Sequence, residues 1–227
     1  MPHVTGQSIL PSYVPALRAT PEHVRWLDRR KSDLDRVLDS YNYSLKTGPW
    51  DFQELRSPLI KKTAIFRFES VEPTEGSSAF VAIIPAATAA IGIVPLWERG
   101  FRPIDSVDLD PHNIAIFNAM VTRERPILTT DSERFSLAVL YLYLFEESPK
   151  ILEEETLPTI LDEGLVKKSK VLLPTVRVED NKRFDVRLFE QISANGFVEF
   201  FFSFDQGGVL RSLTKENHPK SELIGSH

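Results

Sequence analysis

Alternating apolar and polar positions near residue 186 predict a β-strand in the last third of the chain. Phe184, Val186 and Leu188 fall on one side of the alternation, and Asp185 and Arg187 fall on the other. Successive side chains of a strand point to opposite faces of a sheet. The segment therefore predicts a strand with one face in the core and one face towards water.

Three further strands are predicted around this one, over 175–179, 197–204 and 209–213. An Asn-Gly pair at 195–196 is a strong hairpin signal, because both residue types tolerate the positive φ of a type I′ turn. The pattern predicts a four-stranded antiparallel meander within 171–215.

The strand over 197–204 is apolar on one face and mixed on the other. Its first face carries Val198, Phe200, Phe202 and Phe204, and its second face carries Phe197, Glu199, Phe201 and Ser203. We expect a helix to cover the second face, because α+β proteins commonly bury their sheets under helices. The alternative is a ligand or a protein partner on that face.

A long amphipathic helix is predicted over 20–47. Thr20 and Pro21 are typical of a helix start, and apolar residues recur at spacings close to three and four. Its charged face is typical of a solvated surface. Its apolar stripe is also heptad-like, so self-association or a partner seam is the functional alternative.

Two more helices are predicted in the middle of the chain. The first opens at Asp110-Pro111 and runs to about Arg123. The second follows a capping box from Thr130 to Glu133, in which each side chain bonds the backbone amide of the other residue. The apolar stretch after it fits a buried helix or a buried strand, and the capping box favours the helix.

The segment between the long helix and these two is predicted to be mainly extended. Residues 50–62 are interpreted as a loop with a short helix as the alternative, and 63–71 as a strand. Residues 77–97 carry no charge, but two prolines and a glycine interrupt them. We therefore predict two buried strands, 79–84 and 90–94, rather than a membrane span.

These elements predict an α+β protein: an antiparallel sheet, most clearly the C-terminal meander, with two to four packed helices. The organisation that we infer is an N-terminal arm over 1–19, an α/β part over 20–150, a charged connector over 151–170, the meander over 171–215 and a tail over 216–227. The meander and the α/β part are expected to form one domain.

Composition narrows the functional classes. The chain has 227 residues, 42% hydrophobic content, no cysteine and a formal net charge of −5. Thiol catalysis and disulfides are excluded, and the negative charge disfavours non-specific nucleic-acid binding. The N-terminus does not have the pattern of a signal peptide, so we expect a soluble cytoplasmic protein without a membrane partner.

One polar cluster offers ligands for a metal ion: Asp105, Asp108, Asp110 and His112. Carboxylates suit hard divalent cations, and the imidazole extends the choice to Zn²⁺ or Fe²⁺. The alternative is that Asp105 and Asp108 are loop residues that precede an ordinary helix N-cap at Asp110. The remaining histidines are expected to be exposed or in disordered ends of the chain; they are His3, His23, His218 and His227.

An apolar ligand pocket is a weaker hypothesis. Trp97 follows an apolar strand, at a place where pocket mouths are often found. Phe197 and Phe201 would supply aromatic surface from the mixed face of the Phe-rich strand. The cofactor remains unknown at this point, with a divalent metal as the candidate.

No family resemblance emerges, and neither nucleotide-binding loops nor hydrolase elbows occur. Whether the chain is an enzyme is therefore undecided. The leading hypothesis is a non-catalytic module that binds a protein partner or an apolar small molecule. One alternative is a metal-assisted hydrolase or related enzyme that uses the Asp/His cluster. Another is a structural or assembly component that acts through the 20–47 helix.

Overall fold

A computed structural model describes most of the chain between Trp50 and Pro219. The described residues are 50–55, 57–70, 79–85, 92–96, 111–145, 151–152, 172–179, 183–193 and 196–219. The chain divides into two compact units. One unit contains the first sheet. The other contains both described helices, except for the last turn of the second helix, and the second sheet. The predicted helix over 20–47 lies outside the described residues.

The first sheet is a four-stranded antiparallel meander in the order β1-β2-β3-β4. Its strands are β1 Trp50–Leu55, β2 Thr63–Ser70, β3 Ala79–Pro85 and β4 Gly92–Leu96. Pro95 lies in β4, which is an edge strand of this order. Proline has no amide hydrogen to donate, and an edge strand tolerates this because one of its sides has no neighbouring strand.

The second sheet is also a four-stranded antiparallel meander, in the order β5-β6-β7-β8. Its strands are β5 Thr175–Glu179, β6 Arg183–Ser193, β7 Gly196–Asp205 and β8 Leu210–Pro219. Residues 151–152 continue the pairing along β6 beyond the first residue of β5. Ile151 forms a bridge to Glu190, and the amide of Leu152 donates to the carbonyl oxygen of Phe189. The α+β class and the C-terminal meander are therefore confirmed.

Two helices belong to the described part of the chain: α1, Pro111–Glu124, and α2, Asp131–Phe145. Proline begins α1, where a missing amide costs nothing. The predicted capping box begins α2. The hydroxyl of Thr130 accepts from the Glu133 amide, and the Glu133 carboxylate accepts from the amides of Thr129 and Thr130.

The helices pack on one face of the second sheet, which we call the inner face. Phe117 of α1 lies 6.5 Å from Phe204, and Tyr141 of α2 lies 5.7 Å from Phe202, measured between ring centroids. Phe117 and Tyr141 also meet edge to face at 5.2 Å. Fully burying each such ring contributes roughly 1.5–3 kcal/mol, so this aromatic layer is the centre of the core.

The hairpin between β7 and β8 inserts its glycine among the helices. Gly208 has φ of 83°. A side chain at this position would place its Cβ 2.8 Å from Leu137 and 2.9 Å from Leu128, both on or next to α2. The amide of Gly208 donates to the carbonyl oxygen of Asp205, which closes the turn. Glycine is therefore required by both the backbone conformation and the packing.

A side-chain amide fastens α1 to the start of β8. Asn118 Oδ1 accepts from the Leu210 amide at 2.8 Å, and Asn118 Nδ2 donates to the Leu210 carbonyl oxygen at 2.9 Å. Both polar groups of one strand residue are thus satisfied by a helix side chain. The amide takes the place of a neighbouring strand at the edge of the sheet.

One expectation from the sequence is wrong. Residues 50–55 form β1 instead of a loop or short helix, because all six residues pair with β2, and such pairing overrides a weak local pattern. The described helices cover the inner face of the second sheet. On the opposite face Phe201 is 40% exposed but Phe197 is fully buried, so the expected cover over that face stays a prediction. The domain boundaries remain a prediction.

Substituting Gly208 with alanine is expected to destabilise the fold by about 2–4 kcal/mol. The left-handed conformation costs an alanine about 1–2 kcal/mol, and crowding against Leu137 and Leu128 adds a similar amount. Urea unfolding of Gly208→Ala measures the loss. Gly207→Ala is the matched control, since Gly207 is exposed and its added Cβ would lie 3.4 Å from Asp205. Equal losses in both variants would contradict the packing argument.

Acid should weaken the start of α2. Hydrogen bonds from the Thr130 backbone, and then from Thr129, lower the pKa of Glu133 from its usual value of 4.5. A lowered pKa stabilises the fold above the unfolded value and loses that contribution as the pH falls through the folded value. We expect Glu133→Gln to cost roughly 0.5–1 kcal/mol at neutral pH.

The difference between wild type and Glu133→Gln should begin to shrink near pH 4.5, where this carboxylate takes up a proton in the unfolded chain, and should be lost as the pH falls through the lowered pKa of the folded carboxylate. Urea unfolding of both proteins across the acid range measures it. A difference that stays constant down to the most acidic pH would contradict the role given to the Glu133 carboxylate.

Candidate functional site

The outer face of the second sheet, opposite the helices, carries the most distinctive polar arrangement of the described residues. Strand alternation places there the residues that do not point to the aromatic core. Register aligns them in rows across the strands, with Arg187 opposite Phe201 and Phe201 opposite Thr214. The residues of this face that are described below are Arg177, Glu179, Arg183, Arg187, Phe189, Glu199, Phe201, Asp205, Glu216 and His218.

Phe201 is an exposed aromatic residue on an interior strand. It is 40% exposed, whereas Phe200 and Phe202 beside it in the chain are buried in the core. β7 has a neighbour on each side, so Phe201 lies within the outer face and not at its edge. An exposed large apolar side chain surrounded by polar groups is typical of the centre of a contact surface.

Arg187 and Glu199 form an ion pair across β6 and β7. The Arg187 Nε donates to Glu199 Oε1, and the guanidinium lies 4.7 Å above the ring of Phe189. Phe189 is fully buried, so one side of the guanidinium lies against an apolar wall. The stacking and the ion pair together hold Arg187 in one orientation.

The second oxygen of Glu199 meets a histidine from β8. His218 Nε2 lies 2.9 Å from Glu199 Oε2 and 3.8 Å from Glu216 Oε2. Glu199 and Glu216 are directly opposite each other in the register of β7 and β8. Like charges at directly opposite positions destabilise a sheet unless a cation compensates them. His218 and Arg187 are the neighbouring groups able to do so.

The other end of the outer face is rich in arginine. Arg177 and Arg183 both pair with Glu179, and Arg211 pairs with Asp205 at 2.6 Å. Asp205 is held in place by the hairpin, because its Oδ1 accepts from the amides of Gly207 and Val209.

In each of these pairs, the guanidinium is more exposed than its carboxylate. For Arg211 and Asp205 the exposed fractions of the side chains are 64% and 27%, and the order is the same for Arg177, Arg183 and Arg187. The carboxylates lie closer to the sheet and the arginines lie over them. The guanidinium groups are therefore the more exposed charges of these four pairs, although Asp185 and Glu216 add negative charge to the same face.

The residues predicted for the metal cluster are not brought together by the described structure. Asp105, Asp108 and Asp110 lie outside the described residues. His112 belongs to the first turn of α1, where only its backbone is described. That cluster remains a prediction.

The predicted apolar pocket is also untested. Trp97 lies outside the described residues. Phe197 and Phe201 share the outer face of β7, four residues apart, which is roughly 13 Å along a strand. Phe197 is fully buried, and Phe201 is exposed. Phe201 is thus the predicted site residue that lies exposed on the described surface.

The position of His218 differs from the one that the sequence predicts. The sequence predicts a disordered end of the chain, but β8 continues to Pro219 and places His218 opposite Phe197. The alternation of Thr214, Glu216 and His218 on one face was the available signal. Strands with little apolar content give a weak pattern, and their register is set by the neighbouring strand.

Comparison of the chain with protein-family models, with curated proteins and with solved structures finds no significant match. Within the described ranges, neither helix has the length and apolar character that a membrane crossing requires. The exposed aromatic ring and the ion pairs of the outer face are therefore the features of the protein that bear on its function.

Glu199 and Glu216 should respond differently to loss of charge. Glu199→Gln removes the anion that both Arg187 and His218 contact, and we expect a loss of about 1 kcal/mol. Glu216→Gln removes the like charge opposite Glu199 from a side chain that is 69% exposed, so its stability should be unchanged or slightly higher. Thermal unfolding in metal-free buffer compares the two. Destabilisation by Glu216→Gln equal to that by Glu199→Gln would contradict this account.

Proposed function

We propose that the protein is a non-catalytic binding module that contacts another protein through the outer face of its second sheet. The observation that carries the proposal is Phe201, an exposed aromatic ring on an interior strand whose opposite face is filled by core. A ring of this kind loses its exposed apolar area when a partner covers it. Aromatic anchors of this type commonly dominate binding energy.

The arginines around Phe201 indicate the chemistry of the partner. Arg187 lies directly across from Phe201, and Arg177, Arg183 and Arg211 lie towards the hairpin end. Their guanidinium groups are the outermost charges of their ion pairs. We infer a partner that offers carboxylates around an apolar contact, for example an acidic segment with an aliphatic residue at its centre.

The surface favours protein over an apolar small molecule. A small apolar ligand is usually enclosed on most sides, whereas Phe201 lies on a sheet face among charged side chains. Polar groups around an apolar centre are the usual arrangement of a protein contact.

Binding should depend on Phe201 and on acidic groups of the partner. Short peptides with one leucine flanked by glutamates serve as probes, and fluorescence anisotropy measures their affinity. Phe201→Ser should weaken binding by at least about tenfold. Rising salt should also weaken it, because charge attraction contributes to the encounter.

Ile127→Ser is the matched control, since Ile127 is 71% exposed but lies in the loop between the helices. It should leave the affinity unchanged. Peptides with lysine in place of glutamate should not bind. Equal affinity of wild type and Phe201→Ser for the acidic peptides, or equal binding of the lysine peptides, would overturn the proposal.

A further inference from the structure

A second site lies on the outer face at the end opposite to Arg177, Arg183 and Arg211. Three potential metal ligands from two neighbouring strands converge there: Glu199 from β7, and Glu216 and His218 from β8. One ligand atom of each lies within 4.8 Å of the others. The group combines an imidazole nitrogen with two carboxylate oxygens.

We propose that these three residues bind a divalent transition metal of the Zn²⁺ class. Two of the separations between ligand atoms lie close to the spacing of this metal. Bonds of about 2.0–2.2 Å in tetrahedral geometry place ligand atoms about 3.3–3.6 Å apart. His218 Nε2 lies 2.9 Å from Glu199 Oε2 and 3.8 Å from Glu216 Oε2, values on either side of that spacing. The ligand atoms of the two glutamates lie within 4.8 Å of each other, so metal binding requires these side chains to draw together.

The register of β7 and β8 also concentrates negative charge at the site, although Arg187 already compensates part of it through Glu199 Oε1. Glu199 and Glu216 face each other directly across β7 and β8, a position in which like charges repel. Glu199 has only 15% of its side chain exposed, so water screens this repulsion incompletely. A divalent cation between the two carboxylates removes the repulsion.

Arg187 holds Glu199 ready for the metal. It binds Oε1 and leaves Oε2 directed towards His218. Carboxylates that bind metals are commonly hydrogen-bonded through their other oxygen in this way. Arg187 is thus a positioning residue of the site.

The donor set selects the metal class. A neutral imidazole with carboxylates suits zinc and the neighbouring transition metals, whereas Mg²⁺ prefers oxygen ligands and water. Metals bind the deprotonated forms of their ligands, so zinc affinity is expected to fall at acid pH. Three protein ligands leave a fourth position for water or a partner group.

Zinc titration of the full chain, after treatment with a chelator, tests the proposal by calorimetry and thermal unfolding. We expect one ion per chain and a higher melting temperature with zinc, and no rise with magnesium. His218→Gln and Glu216→Gln should each weaken zinc binding by more than about tenfold. Arg187→Met should weaken it less.

Glu216→Gln is decisive, because the metal-free variant should be as stable as the wild type but should gain no stability from zinc. His112→Asn is the matched control and should bind zinc like the wild type, which also separates this site from the predicted cluster near residue 110. Phe201→Ser should still bind zinc. A failure of the proposed partner surface can therefore be distinguished from a failure of the metal site.

Three results would overturn the site: no zinc binding up to about 100 µM, equal zinc affinity in the wild type and Glu216→Gln, or stabilisation by magnesium equal to that by zinc.

Discussion

The packing of aromatic side chains of α1 and α2 against the inner face of the second sheet is the interaction on which the rest of the unit that contains this sheet depends. Phe117 and Tyr141 lie against Phe204 and Phe202, and all four rings are buried. Because the helices occupy that face, the charged side chains of the same strands lie on the outer face, where Phe201 is exposed but Phe189 and Phe197 are fully buried. The core thus decides which side of the sheet carries the ion pairs.

Sequence pattern predicted the parts of this architecture whose signals are local. The alternation around Val186 and the capping box at Thr130 each depend on residues within a few positions of one another, and both elements form as expected. β1 was not predictable in the same way. It is held by its pairing with β2 from Trp50 to Leu55, and pairing of this kind is a tertiary effect that propensity does not capture.

The outer face lay beyond sequence reasoning for a related reason. That Glu199 meets His218 and Glu216 follows from the register of β7 and β8, which shifts at an irregularity between Ser203 and Phe204. A shift of one residue on either strand would send these side chains to opposite faces. Phe201 was singled out from the sequence as an apolar binding residue, but the ion pairs around it appear only once the strands are aligned.

The bond between Asn118 and Leu210 also has a consequence for how the protein is made. The two residues are 92 positions apart. At roughly 5–20 residues per second, a ribosome needs roughly 5–20 s to travel from one to the other. During that interval α1 has been synthesised, but the strand that its amide fastens and the phenylalanines that its apolar face covers have not. This face of α1 is therefore open to other molecules until β8 emerges, and the same holds for Tyr141 of α2, which packs against Phe202.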